Sequence, residues 1–351
     1  MLSHILANGL VPNGSHKTDM TLTILGCGTA SLTNPLETLL TADIGTLGVA
    51  ILSGILASIS ETQIHAQYIS DSGTDSPVPE SLLRTPSKFV ACVKRPQSVN
   101  RVQDALASYS QFPVTIFLND NIKGVQQADV VILCCKPYMV KDILDVPGMR
   151  EALRGKLLIS ILAGVPTEQI EDILYPDIDF PREERCTVVR AMPNTAAIIR
   201  ESTTVVGISQ PPLPVEWDEL VTWIFTRIGR VVRLPLSQMD VSTALAGSGP
   251  AFMALVLEAI TDGAVAMGMP RADAQIMACQ VMRGTASMVL NGDHPALIRE
   301  KVSTPGGCTI GGLLVLEEAG VRGSLARSIR EATVVASQLG KGVQGVNGTR
   351  H

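Results

Sequence analysis

Short apolar runs of four to seven residues recur from Thr21 to Leu234, and after Asp240 they give way to longer patterns of helical period. The first set predicts strands at Thr21–Leu25, Phe89–Val93, Val114–Leu118, Asp129–Cys135, Lys156–Leu162, Val188–Ala191, Val205–Ile208 and Val231–Leu234. DVVILCC (129–135) is continuously apolar after Asp129, as expected of a strand buried on both faces of a parallel sheet. The second set predicts helices at Ala244–Met267, Arg271–Leu290, Pro295–Val302, Thr309–Ala319 and Ser324–Leu339, with Gly268 closing the first and Pro270 opening the second. Ala244–Met267 is apolar nearly all round, so it needs more cover than one subunit's surface gives. The fold class expected is α/β. A doubly wound Rossmann-type domain over 20–235 precedes an all-α dimerisation and substrate domain over 240–340. Residues 1–19 and 341–351 are expected to be an irregular and a disordered tail, and the Pro-rich stretch 70–87 a surface loop.

Composition narrows the field. The 351-residue chain carries a net charge of −5 and lacks the basic face of a nucleic-acid binder. Seven cysteines in no ligand-like spacing point to reduced thiols, and five scattered histidines offer no metal site. Residues 1–19 lack the apolar core of a secretion signal and the arginines of a transit peptide. The apolar region Ala244–Met269 is interrupted by Glu258, Asp262 and glycines, so no membrane span is expected. The cytoplasm is the expected compartment.

The strand Thr21–Leu25 runs directly into Gly26-Cys27-Gly28, the opening of a dinucleotide-binding βαβ unit. The pattern then fails, because Asn34 and Pro35 stand where a helix should begin. Removal of the seventeen residues Ala30–Thr46, or equally Thr29–Gly45, restores GCGTLG and gives Gly26, Gly28 and Gly48 the full G-x-G-x-x-G spacing. Residues 30–46 therefore read as an insertion, either a retained intron of in-frame length or a genuine variant loop. The second strand ends in Lys94-Arg95 where NAD-binding folds place an acid, and this leans the cofactor towards NADPH. Two solvated charges at a strand end explain the pair equally well.

Ser303–Gly312, STPGGCTIGG, packs four glycines and a proline into ten residues before an apolar helical run. Helix-start amides of Gly307, Cys308 and Thr309 would attract an anion there, with small side chains and the hydroxyls of Thr304 and Thr309 suited to a carboxylate. An ordinary Gly-Gly turn with Thr309 as N-cap is the alternative.

GCGTLG without the insertion, DVVILCCKP, SILAGV, RAMPNT, LAGSGPAF, DGAVAMGMPR and VSTPGGCTIGGL run in order over most of residues 20–340. Together they resemble the pyrroline-5-carboxylate reductase family, in a fungal-like form. The resemblance implies hydride transfer from NADPH or NADH to the cyclic imine 1-pyrroline-5-carboxylate, giving L-proline, by a homodimer that can assemble into a larger ring. It implies that Gly26, Cys27, Gly28 and Gly48 hold the pyrophosphate and that Arg95 lies near the 2′-phosphate. Asn121, Cys134, Cys135, Lys136, Pro137 and Ile161, Leu162 and Ala163 would line the nicotinamide half. On the substrate side it implies Asn121, Lys136, Thr304, Gly307, Cys308 and Thr309. There the amides of Cys308 and Thr309 would take the carboxylate across the dimer interface, and the Thr309 hydroxyl would serve the ring nitrogen as the catalytic contact. Cys308 departs from the Thr or Ala usual before that threonine.

Two other readings stand beside this one. A related imine or β-hydroxyacid dehydrogenase would place a catalytic lysine on the long interdomain helix, and Ala244–Met267 has none. A non-catalytic product, able to dimerise but impaired in cofactor binding, would follow from the split glycine turn.

Overall fold

The computed structural model describes residues 19–26, 44–71, 85–176, 180–340 and 343, with side chains from 47 to 62 in the first helix. Eight strands form one sheet: β1 (Met20–Leu25), β2 (Pro86–Val93), β3 (Val114–Leu118), β4 (Val130–Leu133), β5 (Leu157–Ser160), β6 (Thr187–Met192), β7 (Ser202–Ile208) and β8 (Gly229–Pro235). Their order is β3-β2-β1-β4-β5-β6-β7-β8, parallel from β3 to β6, with β7 antiparallel to β6 and β8 parallel to β7. The first six strands thus have the doubly wound order, whose direction reverses between β1 and β4.

Helices α1 (Ile44–Asp71), α2 (Pro96–Leu106), α3 (Asn121–Gln127), α4 (Val140–Leu144), α5 (Met149–Ala152), α6 (Thr167–Leu174) and α7 (Val215–Thr226) accompany the sheet. The alternation along each strand sorts its side chains. Val130 and Ile132 of β4 join a core with α1, α2 and α7, while Val131 and Leu133 join a second core with α3 to α6. Each large apolar side chain buried this way contributes about 1.5–3 kcal/mol. β4 is shorter than the run 129–135, although the flanks still bond β1: the Asp129 amide donates to the Thr21 carbonyl and the Cys134 amide to the Leu25 carbonyl, each at 2.9 Å. Asp129 accepts from the Thr21 amide through Oδ2 at 2.8 Å.

The remaining chain is helical: α8 (Met239–Ser242), a π-turn at Thr243–Gly247, α9 (Gly249–Ala266), α10 (Arg271–Leu290), α11 (Pro295–Val302), α12 (Cys308–Glu318) and α13 (Val321–Gly340). The single helix expected over Ala244–Met267 is therefore broken near its start, where Pro250 lacks the N–H that would continue it. Helix α1 begins within the proposed insertion, at Ile44, and runs to Asp71. Its last residues replace the start of the expected 70–87 loop, and 72–84 lie outside the described residues. Residues 1–18, 341–342 and 344–351 also lie outside them, as do residues 27–43, which include 30–43 of the proposed insertion.

α9 buries only Thr261, and α12 buries none of its residues within one chain. By length and composition alone Leu236–Ala266 is apolar enough to cross a membrane, in contrast to the expectation from its charges.

Candidate functional site

The exits of β1, β2, β3, β4 and β5 share one edge of the parallel sheet, where doubly wound folds place their ligands. Gly26 follows β1 at φ +87°, and its amide donates to the Cys92 carbonyl at 3.2 Å. A Cβ there would lie 2.9 Å from the Cys135 amide nitrogen, so the exits of β1 and β4 touch backbone to backbone. Gly48, in the first turns of α1, is pressed on the same place: a Cβ would meet Ile24 Cγ2 at 3.1 Å and Cys134 Cβ at 3.4 Å. These are the positions of the tight turn and of close helix–strand packing in a dinucleotide fingerprint. Cys27 and Gly28 lie outside the described residues.

Around this crevice the expected cofactor residues converge. Arg95 is the half-buried N-cap of α2 at the exit of β2, with Pro96 presetting the first helical turn. Asn121 opens α3 behind Asp120, whose Oδ1 accepts from the Lys123 amide at 3.2 Å. The Lys123 ammonium, 2.8 Å from Asp120 Oδ2, helps hold that carboxyl below its ordinary range. Cys134 and Cys135 are buried at the end of β4, and Lys136 and Pro137 follow them half-buried. Burial pushes the Cys135 thiol up to about 12, so it is neutral. Ile161 and Leu162 are buried beyond β5, the Ile161 amide donating to the Leu133 carbonyl at 3.1 Å, and Ala163 packs on the cluster of Met192, Val205 and Met239.

The glycine-rich turn leads into α12, whose main neighbour in its own chain is α13. The Gly307 amide donates to the Thr304 carbonyl at 3.0 Å, which closes the turn and makes Gly307 the N-cap of α12. The expectation that Gly307 offers a free amide, with the helix opening at Thr309, is corrected in this respect. The first helical amides are those of Cys308 and Thr309, and among the described residues neither has a backbone acceptor. The exposed Thr304 and Cys308 and the half-exposed Thr309 surround them.

Sequence reasoning named RAMPNT without giving its polar residues a task. Arg190, 6% exposed, sends Nη2 to Asp240 Oδ1 at 3.3 Å, and Asn194 sends Nδ2 to the Ala246 carbonyl at 3.0 Å. Both bonds tie β6 and its exit to the helical segment that follows β8. Among the described residues no cluster of metal-ligating side chains occurs.

A doubly wound sheet with a glycine-lined crevice at its switch point, joined to a helical unit left largely uncovered, defines a dinucleotide-dependent oxidoreductase built to pair with another subunit. The comparisons narrow this class. The family model described as pyrroline-5-carboxylate reductase dimerisation matches residues 237–339, and one described as NADP oxidoreductase, coenzyme F420-dependent, matches 76–164. The pyrroline-5-carboxylate reductase of Lophium arboricola is 57% identical over 95% of this chain and 97% of that protein. That of Neurospora crassa is 46% identical over 97% and 99%. Plasmodium falciparum pyrroline carboxylate reductase, solved with NADP bound, shares the fold with a TM-score of 0.67 at 19% identity, covering 92% of this chain and 99% of that one. The chain belongs to the pyrroline-5-carboxylate reductase family.

Proposed function

We propose that this chain reduces 1-pyrroline-5-carboxylate to L-proline, the final step of proline biosynthesis, with NADPH as the hydride donor and NADH as the alternative. The likeness to the Lophium arboricola enzyme along nearly the whole of both chains carries the reading. The crevice fits the cofactor, since Gly26 and Gly48 bring the exits of β1 and β4 and the start of α1 together with no side chain between them, the close approach that a dinucleotide fingerprint requires. When bound, the cofactor supplies the hydride; the chain's own residues do the rest.

Gly26 and Gly48 let backbone approach the pyrophosphate, with Cys27 and Gly28 between them, and Arg95 answers a 2′-phosphate. Asn121, Cys134, Cys135, Lys136 and Pro137, with Ile161, Leu162 and Ala163, form the wall for the nicotinamide half. The amides of Cys308 and Thr309 hold the substrate carboxylate at the start of α12. The Thr309 hydroxyl bonds the ring nitrogen, which must carry a proton for the adjacent carbon to accept hydride. Thr304 shapes this turn through its carbonyl. Since α12 packs chiefly on its own α13, a complete site needs two copies, the turn of one meeting the sheet edge of the other. Residues 240–340 accordingly form the dimerisation unit and 20–235 the cofactor unit, with a larger ring as a further assembly. A second copy, rather than a lipid bilayer, covers the apolar surface of Leu236–Ala266. Six described cysteines are free thiols, which suits the cytoplasm.

The test is oxidation of NADPH with pyrroline-5-carboxylate by the chain as given and by one lacking Ala30–Thr46. Turnover by both forms supports the activity and makes the segment a tolerated loop. Turnover by the shortened chain alone supports the activity and makes the segment an insertion that disables the glycine turn. Turnover by neither overturns the substrate assignment.

A further inference from the structure

Asn194 follows β6 through Pro193, and all its polar groups are engaged. Its Oδ1 accepts from the Ala196 amide at 3.1 Å, capping a short 3-10 turn. Its own amide donates to Ser202 Oγ at 3.0 Å. Because Oδ1 faces a donor, the amide nitrogen must face the other way, and it donates to the Ala246 carbonyl at 3.0 Å.

The reason that carbonyl needs a donor lies in the sequence. In an α-helix it would accept from residue 250, which is proline and has no N–H. The backbone responds with a π-turn over Thr243–Gly247, in which the Ser248 amide donates to the Thr243 carbonyl at 3.0 Å. Ala246 is left over, and Asn194, 52 residues earlier in the chain, supplies the missing donor. Beside this bond, Ala246 packs on the buried cluster of Met192, Val205 and Met239, and Ala163 packs on the same cluster. Ala163 belongs to the β5 exit assigned above to the nicotinamide half. The Arg190–Asp240 pair fixes the other end of the segment, but it leaves the buried Arg190 Nε without a partner.

We infer that Asn194 is a positioning residue for hydride transfer: it replaces the helix bond that Pro250 removes and so holds the π-turn on the Met192–Val205–Met239 cluster that also backs the nicotinamide wall at Ala163. This rests on the assignment of the sheet's carboxyl edge to the cofactor, made under the proposed function. Neither reacting partner touches Asn194 in this scheme. Its effect passes through Ala246 and the Met192–Val205–Met239 cluster on which Ala163 also packs.

The deciding variant is Asn194→Asp, which keeps the capping acceptor and the side-chain size but loses the donor. Its kcat should fall about tenfold, with the affinity for NADPH changed less than about twofold, because the loss is one of alignment. Backbone hydrogen exchange over residues 243–251 should quicken by about tenfold or more, a readout that needs no turnover. In a Pro250→Ala background the restored N–H offers the Ala246 carbonyl a second donor, so the kcat penalty of Asn194→Asp should shrink. Unchanged exchange over 243–251 overturns the inference, whether or not the native chain reduces pyrroline-5-carboxylate. Faster exchange with unaltered kcat and KM in an active enzyme also overturns it, since the bond would then be structural only. A native chain inactive towards that substrate rejects the proposed function, and the exchange result still decides the role of the bond.

Discussion

Gly26 and Cys135 meet backbone to backbone at the crevice: a side chain on Gly26 would begin 2.9 Å from the Cys135 amide nitrogen. The glycine also sits at φ +87°, where an L-residue is strained. Gly26→Ala therefore adds backbone strain of about 1–3 kcal/mol to a contact that no flexible side chain can relieve. The urea midpoint should fall accordingly, and NADPH binding should weaken because the β1 exit is displaced. A variant as stable as the native chain, with the same affinity, would show that this approach is not needed.

Three thiols set a pH limit on stability. Burial pushes Cys92 and Cys135 up to about 12 and Cys186 to about 11, against about 9 for a free thiol. The folded state thus favours the protonated form. The sign follows: this contribution is complete below about pH 9, where both states hold the proton, and it is lost as pH rises from there through the folded values. Each such thiol subtracts up to about 1.4 kcal/mol per pH unit in that window. Urea midpoints should hold up to about pH 9 and fall between about pH 9 and 11, less steeply in Cys135→Ala. The same burial leaves little thiolate to react, so a disulfide reagent should reach Cys92, Cys135 and Cys186 only after unfolding. An equal slope in native chain and variant would remove Cys135 from this account.

Much of the fold was legible because each signal was local. Val114–Leu118, Arg271–Leu290 and Pro295–Val302 have the bounds their patterns and prolines predict. The continuous apolar run in β4 declared a strand covered on both faces, and it lies between two cores. Gly26 and Gly48 were legible as a pair only after the segment between them was set aside. The break before α9 was missed because period alone cannot register an absent N–H. The donor that repairs it comes from Asn194, beyond the reach of any local pattern. At the glycine-rich turn, small residues announced a helix start, but the Thr304 carbonyl that occupies the Gly307 amide is a matter of turn geometry.

Thr309 can be separated from the fold. It is the second residue of α12, half-exposed, in a helix with no residue buried in its own chain. Thr309→Ala removes only a hydroxyl there, and its stability change should stay within about 0.5 kcal/mol. Turnover should nevertheless fall by about 10²-fold or more, with NADPH affinity unaltered, because a proton donor or substrate contact is lost. Thr309→Ser should recover most of the rate. Native turnover in the alanine variant would exclude the hydroxyl from the reaction.

The last prediction concerns the second copy. Leu255 on α9 is 66% exposed and Val281 on α10 is 64% exposed in one chain, although these helices pack on each other. Full burial of such a side chain contributes about 1.5–3 kcal/mol, and two-fold symmetry counts each one twice. Leu255→Glu reverses the sign, because a carboxylate buried without a partner costs several kcal/mol. Sedimentation should show the variant as a monomer, or as a dimer weakened by several orders of magnitude. The sheet and its crevice lie elsewhere in the chain, so NADPH should still bind. Turnover should disappear with the dimer, since the turn at Cys308–Thr309 would then face no partner's sheet edge. A monomer that retained full activity would mean that one chain completes its own site. An undiminished dimer would place the interface on another face of the helical unit.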